Sequence, residues 1–233
     1  MRASSGEVED LVFLLDVDNT LLDNDRITAD MHRYLEQEVG QDRADAYFRI
    51  FEELRQQLGY ADYLGALQAY RNEFPRDPHV LYLSHFLVDY PFANRLYPES
   101  LDVIDLFKTW GPVVILSDGD VVFQPRKIER SGLWAAVEGK VLIYVHKEQQ
   151  LADVATRFPA RHYALVDDKL RILSAVKAVW GERVTTVFPR QGHYAHDPKI
   201  LAECPPADIT VERIGELSAL ERGAFLRESR VAG

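Results

Sequence analysis

Cysteine is almost missing from this 233-residue chain: Cys204 is the single one, so neither an intramolecular disulfide nor a thiolate metal cluster can form. That predicts a protein of a reducing cytoplasm. Long apolar runs are missing too. No segment approaches the roughly twenty apolar residues that span a bilayer, and Met1 to Asp10 lacks a signal-peptide stretch and reads as a frayed leader. Positive charge is in deficit: 27 Lys and Arg against 37 Asp and Glu give a net charge of −10. This argues against nucleic-acid and anionic-membrane partners. An anionic small molecule is not excluded, because a local cation or bound metal dominates the field of one site. Repeats, low-complexity tracts and coiled-coil heptads are absent as well. What remains is ordinary globular composition, 47% hydrophobic and 27% charged, enough for one larger domain or a core with a smaller insert.

The stretch that organises the chain is Leu11 to Leu22. Its apolar, branched first half reads as a strand buried on both faces in the middle of a parallel sheet. It ends on Asp16-Val17-Asp18-Asn19-Thr20, where a strand period of two would send both aspartates to the same side. Two anions so placed repel unless a cation or a shared proton offsets them. A divalent metal is the economical reading, although Asp, Asn and Thr after a strand also make turns and helix caps.

After Leu22 the pattern turns helical for some seventy residues, far beyond an ordinary βα connection. Thr28 is positioned to cap a helix ending at Val39 and Gly40; a second holds Tyr47, Phe51, Leu54 and Leu58; a third runs from Tyr63 to Phe74; a fourth begins near His79 and ends by Pro91. Four such helices are enough for a small bundle of their own. From about Leu96, helices and strands alternate. Strands are expected at Val113 to Leu116, Lys140 to Val145, His162 to Val166, Arg183 to Phe188 and Ile209 to Val211, followed by a charged C-terminal helix. The fold class is therefore α/β, a doubly wound parallel sheet with an inserted helical subdomain: residues 1–22 and 96–233 form the core and 23–95 the insert.

The carboxyl ends of these strands carry Asp16 and Asp18, then Ser117, then Lys147, then Asp167 and Asp168. In a parallel sheet these ends share one edge, where open α/β sheets bind ligands. Singly, each could be a turn hydroxyl, a solvated lysine or an N-cap, as Asp120 also could; in that order they point to one crevice. At this point the sequence resembles the haloacid dehalogenase-like hydrolases. Asp16-Val17-Asp18-Asn19-Thr20 is similar to the family's DxDxT signature, Ser117 to its second motif, Lys147 to its third and Asp167-Asp168 to its fourth, while the helical stretch occupies the place of a C1-type cap.

The resemblance implies a Mg²⁺-dependent phosphatase acting on a small phosphorylated molecule. Asp16 would be the nucleophile that forms an aspartyl-phosphate, and Asp18 the acid and then the base, carrying a proton near neutral pH through burial or neighbouring charge. Ser117 and Lys147 would hold the phosphoryl group, with the backbone N–H of Asp118 or Gly119. Asp16, the carbonyl of Asp18 and Asp167 or Asp168 would hold the metal, Asp167 preferred because it lies nearer the strand end. True dehalogenases of the family lack the second aspartate of DxDxT, since a halide leaves without a proton; this chain keeps it. A phosphomutase or phosphotransferase shares both aspartates and stays open, as does a non-catalytic phospho-acceptor or binding domain. Asp118 is an unusual neighbour for a phosphate. His193 and His196 read as a surface loop, Arg26, Arg33, Arg49, Arg55 and Arg71 as solvated helix residues, and Tyr60, Tyr63, Tyr70 and Tyr82 as bundle core.

Overall fold

The computed structural model describes residues 8–226. Strand β1, Glu9–Leu15, starts two residues before the expected apolar run, because Glu9 still pairs with Ala160 of the neighbouring strand while it and Asp10 remain exposed. Its side chains then alternate: Leu11, Phe13 and Leu15 enter one core, Val12 and Leu14 the other. This is the pattern of a strand covered on both faces. It lies inside a six-stranded, wholly parallel sheet of order β3-β2-β1-β4-β5-β6, with β2 at Val113–Asp118, β3 at Val141–Tyr144, β4 at Ala160–Val166, β5 at Val184–Pro189 and β6 at Ile209–Val211.

Helix α1 is Asn24–Val39, α2 Gln41–Leu58, α3 Tyr63–Glu73 and α4 Val80–Asp89; after them come α5, Ser100–Lys108, then α6, Phe123–Arg130, and α7, Leu133–Ala136. Helices α8, Leu151–Arg157, and α9, Leu170–Trp180, cover the Val12/Leu14 face of the sheet through Leu151, Val154, Ile172, Leu173 and Val176. On the other face Phe13 stacks on Phe107 of α5 at 4.1 Å and meets Phe225 edge-on at 5.4 Å. A short α10, Pro198–Glu203, follows β5.

Three expectations change. Thr28 is not the cap of α1: it lies inside the helix with its hydroxyl donating to the Asn24 carbonyl, while Asp23 caps by accepting from the Arg26 N–H at 2.8 Å. A carboxylate one residue before the helix accepts orphan N–H groups better than a threonine one turn in. The inserted helices do not hold a core of their own. Their buried residues, among them Met31, Tyr47 and Tyr70, run without a break through Phe92, Phe123 and Leu22 into the sheet-face core. The C-terminal helix is replaced, as far as the described residues go, by 3₁₀ turns at Ile214–Ala219 and Arg222–Phe225, which place Ile214, Leu217 and Phe225 in the core; the remainder lies outside the described residues. Among the described residues no helix is long and apolar enough to cross a membrane.

Candidate active site

β1 stops at Leu15, but the Asp16 N–H still donates to the Val166 carbonyl of β4, which fixes the backbone as it leaves the sheet. The chain then tightens into a turn: the N–H groups of Thr20, Leu21 and Leu22 converge on the Val17 carbonyl, and Asn19 takes φ +60°, a conformation Asn tolerates better than most residues. The strand geometry therefore does not persist to Asp18, and the two aspartates serve different groups.

Asp16 is buried with one oxygen 2.5 Å from the Lys147 ammonium and the other accepting from the Thr20 hydroxyl at 3.2 Å. The same hydroxyl accepts the Asp168 N–H at 3.0 Å, joining β1 to the end of β4. Lys147 is also buried, and its ammonium reaches Asp167 at 2.6 Å and the Leu116 carbonyl at 3.1 Å. Burial works against its charge, but Asp16 and Asp167 outweigh it and hold its pKa above the ordinary lysine value. Asp167 gives its other oxygen to the Lys169 N–H, and burial pushes its pKa up to about 6.

Asp168 differs. Both its carboxylate oxygens are buried without a hydrogen-bond partner, and burial holds its pKa well above the usual carboxylate range. One carboxylate oxygen from each of Asp16, Asp167 and Asp168 lies within 4.8 Å of the others. Three acids this close, one of them unpartnered, match the oxygen donor set of a hard divalent cation. A metal site is thus compatible with the residues present, and it is Asp168 whose oxygens are free, whereas Asp167 is engaged by Lys147.

Asp18 is 27% exposed and opens on a pocket of about 740 Å³. The burial expected to keep a proton on Asp18 is not found, and a cation stands beside it instead: Lys127 of α6 reaches its two oxygens at 2.7 and 3.0 Å. Gln124, one helical turn before, donates to the Ser117 hydroxyl at 2.9 Å. Asp118 turns its carboxylate to the Lys147 N–H at 2.8 Å, so the unusual acid orients the lysine. The Gly119 N–H donates to the Tyr144 carbonyl at 3.0 Å and is not free for a phosphate as the motif reading expected. The glycine is required instead by φ +153° and by Gln124, whose Cβ lies 2.8 Å from where an alanine methyl would sit. Asp120 caps α6 through the Val122 and Phe123 N–H groups.

The outer wall of the pocket comes from both parts of the chain: Phe51, Arg55, Tyr60 and Tyr63 from the inserted helices, and Lys169, His193 and Tyr194 from the core side. Arg55 is thus at the pocket, paired with Glu52 and 3.4 Å from the Tyr194 hydroxyl, while Arg26, Arg33 and Arg49 form ion pairs on half-exposed faces. Tyr63 and Tyr70 are buried; Tyr82 is exposed. His193 binds Asp25 through its ring at 2.7 Å and its N–H at 2.8 Å, so the loop after β5 grips the first turn of α1. Motif reading missed Lys127, Gln124 and Lys169. A glutamine and a lysine three apart in Phe123-Gln124-Pro125-Arg126-Lys127 carry no signal until the fold shows which face of α6 is buried.

Sheet and site together define a parallel α/β protein with a carboxylate-rich site at the carboxyl edge of its sheet. A family model, haloacid dehalogenase-like hydrolase, matches residues 11–179. A haloacid dehalogenase-like hydrolase from Burkholderia xenovorans, known from its crystal structure, is 61% identical over 91% of this chain and 99% of its own, with a TM-score of 0.88. The chain belongs to the haloacid dehalogenase-like hydrolases. Two further structures share the fold at low identity. A Bacillus subtilis HAD-hydrolase bound to magnesium has a TM-score of 0.57 at 17% identity, covering 91% of this chain and 98% of its own. An L-2-haloacid dehalogenase from Xanthobacter autotrophicus has a TM-score of 0.61 at 16% identity, covering 93% and 99%. No curated protein matches the chain significantly.

Proposed function

We propose that this hydrolase is a Mg²⁺-dependent phosphatase that cleaves a small phosphomonoester through an aspartyl-phosphate on Asp16. The observation that carries the reading is Asp18: a second carboxylate, separate from the acid cluster, opening on the pocket where a leaving group would sit. An alkoxide leaving group needs a proton donor and a halide does not.

In this reading Asp16, held by Lys147 and Thr20, attacks phosphorus in line. The bond from phosphorus to the leaving oxygen breaks, its electron pair stays on that oxygen, and Asp18 supplies the proton. Asp18, now a carboxylate, takes a proton from water as the water oxygen bonds to phosphorus and the Asp16 carboxylate departs. Ser117, Lys147 and the Asp118 N–H orient the phosphoryl oxygens. Asp16, Asp168 and the Asp18 carbonyl would hold Mg²⁺, whose charge offsets the repulsion between a carboxylate nucleophile and a phosphate dianion. The inserted helices act as a cap, with Phe51, Tyr60 and Tyr63 excluding water and contacting the leaving group. The single cysteine supports a cytoplasmic location.

The test is to incubate the protein and Mg²⁺ with a panel of phosphomonoesters and of 2-haloacids while following inorganic phosphate and halide. Phosphate release alone supports the reading. Halide release without phosphate release makes the enzyme a dehalogenase.

A further inference from the structure

Helix α6 turns two buried polar side chains toward the site, Gln124 at 3% and Lys127 at 1% exposure. The Lys127 ammonium donates to Asp18 Oδ1 at 2.7 Å, to Asp18 Oδ2 at 3.0 Å and to the Asn24 side-chain oxygen at 3.0 Å. An ammonium has three donors and these are its three acceptors, so nothing remains with which Lys127 could bind substrate. Gln124 reaches Asp18 Oδ2 at 3.4 Å from the same face while holding Ser117. A lysine is buried so completely only where its pairing offsets the loss of water. Here the partner is Asp18, which lines the pocket and stands apart from the acid cluster.

Asn24 gives the contact a second meaning. It is the first residue of α1, and its own N–H is held by the Asn19 side chain at 3.0 Å. Lys127 thus joins three pieces: the helix after β2, the carboxylate after β1, and the start of the inserted helices.

We propose that Lys127 is a positioning residue for Asp18. It fixes the carboxylate where it meets the leaving-group oxygen and, through Asn24, makes that placement depend on a seated α1. The inference rests on the phosphatase reading above and goes beyond it, because it assigns the alignment of the acid to a residue outside the four motifs.

The test is a series of aryl phosphates of graded leaving-group quality, from p-nitrophenyl phosphate, which needs little protonation, to phenyl phosphate, which needs much. In wild type kcat/KM, which reports phosphoryl transfer to Asp16, varies little along the series. Lys127→Met lowers kcat/KM for phenyl phosphate about 100-fold and for p-nitrophenyl phosphate less than about 5-fold, since in the transfer step a misplaced acid penalises only the substrate that uses it; kcat, which includes the hydrolysis step in which Asp18 is the base, falls for both. Lys127→Arg, which keeps charge and donors, recovers a large part of the phenyl phosphate rate. If the Met variant does not fold, Asn24→Ala, at a half-exposed position, gives the same ordering with smaller amplitude. An equal loss of kcat/KM on both substrates, or no loss, overturns the proposal. A wild type that hydrolyses none of the series fails earlier and takes the phosphatase reading with it, so the two failures are told apart before any variant is made.

Discussion

Asp168 has two buried carboxylate oxygens and no partner for either, an arrangement costly in the metal-free protein. Asp168→Asn removes the charge at nearly constant volume and is expected to raise the metal-free Tm by about 3–6 °C, or about 1–2 kcal/mol, while abolishing turnover and the Tm gain from Mg²⁺; differential scanning fluorimetry reads both. Asp167 contributes to the pH dependence of stability. Its pKa is pushed up from 3.8 to about 6 by burial, so the folded chain holds the proton more tightly than the unfolded one. Its stabilising contribution is complete below pH 3.8 and is lost as pH rises through about 6. The metal-free wild type should therefore lose more Tm than Asp167→Asn between pH 4 and pH 7; identical pH profiles of the two proteins contradict the assignment. At this scale Asp16 and Asp167 were legible because each directly follows an apolar run that reads as a buried strand, and Asp168 and Lys147 because they lie within three residues of a strand end. Lys127 was not, because a lysine in a charged helix looks solvated until its neighbours are known.

Between residue and molecule, the turn after β1 and the loop after β5 lock each other. Gly192 takes φ +71°, and a methyl there would come within 2.5 Å of Asn19, the residue whose side chain accepts the Asn24 and Asp25 N–H groups at the start of α1. Gly192→Ala is expected to destabilise by about 1–3 kcal/mol and to lower activity by loosening α1, whereas Gly223→Ala, with open space around it, stays within about 0.5 kcal/mol; urea titration of both variants checks this. The elements themselves were readable from periodicity, since branched apolar runs and helical stripes follow directly from which faces are buried. Their ends were less so. Thr28 and Asp23 both suit an N-cap by type, and only the path of the chain decides which is outside the helix. The C-terminal stretch has a helix-like composition, yet Phe225 packs on Phe13 and Phe107, and that tertiary demand selects 3₁₀ turns.

As a whole molecule, the chain shares one apolar core between the sheet face and the inserted helices, joined through Phe92, Phe123 and Leu22. Calorimetry should accordingly show one cooperative unfolding transition; two separated transitions would mean that the insert folds independently. The acid, hydroxyl, lysine, acid order along the chain made the edge readable from sequence, but the pocket's outer wall was not, because Arg55, Tyr60 and Tyr194 meet only through packing. The central claim is that Asp16 becomes phosphorylated and Asp18 frees it. The most direct measurement is mass spectrometry of acid-quenched Asp18→Asn protein mixed with p-nitrophenyl phosphate and Mg²⁺. The account predicts a phosphate adduct that accumulates on the peptide carrying Asp16 and disappears when Asp16→Asn is added. Turnover by the wild type with no adduct in this variant, or an adduct on another residue, would contradict it.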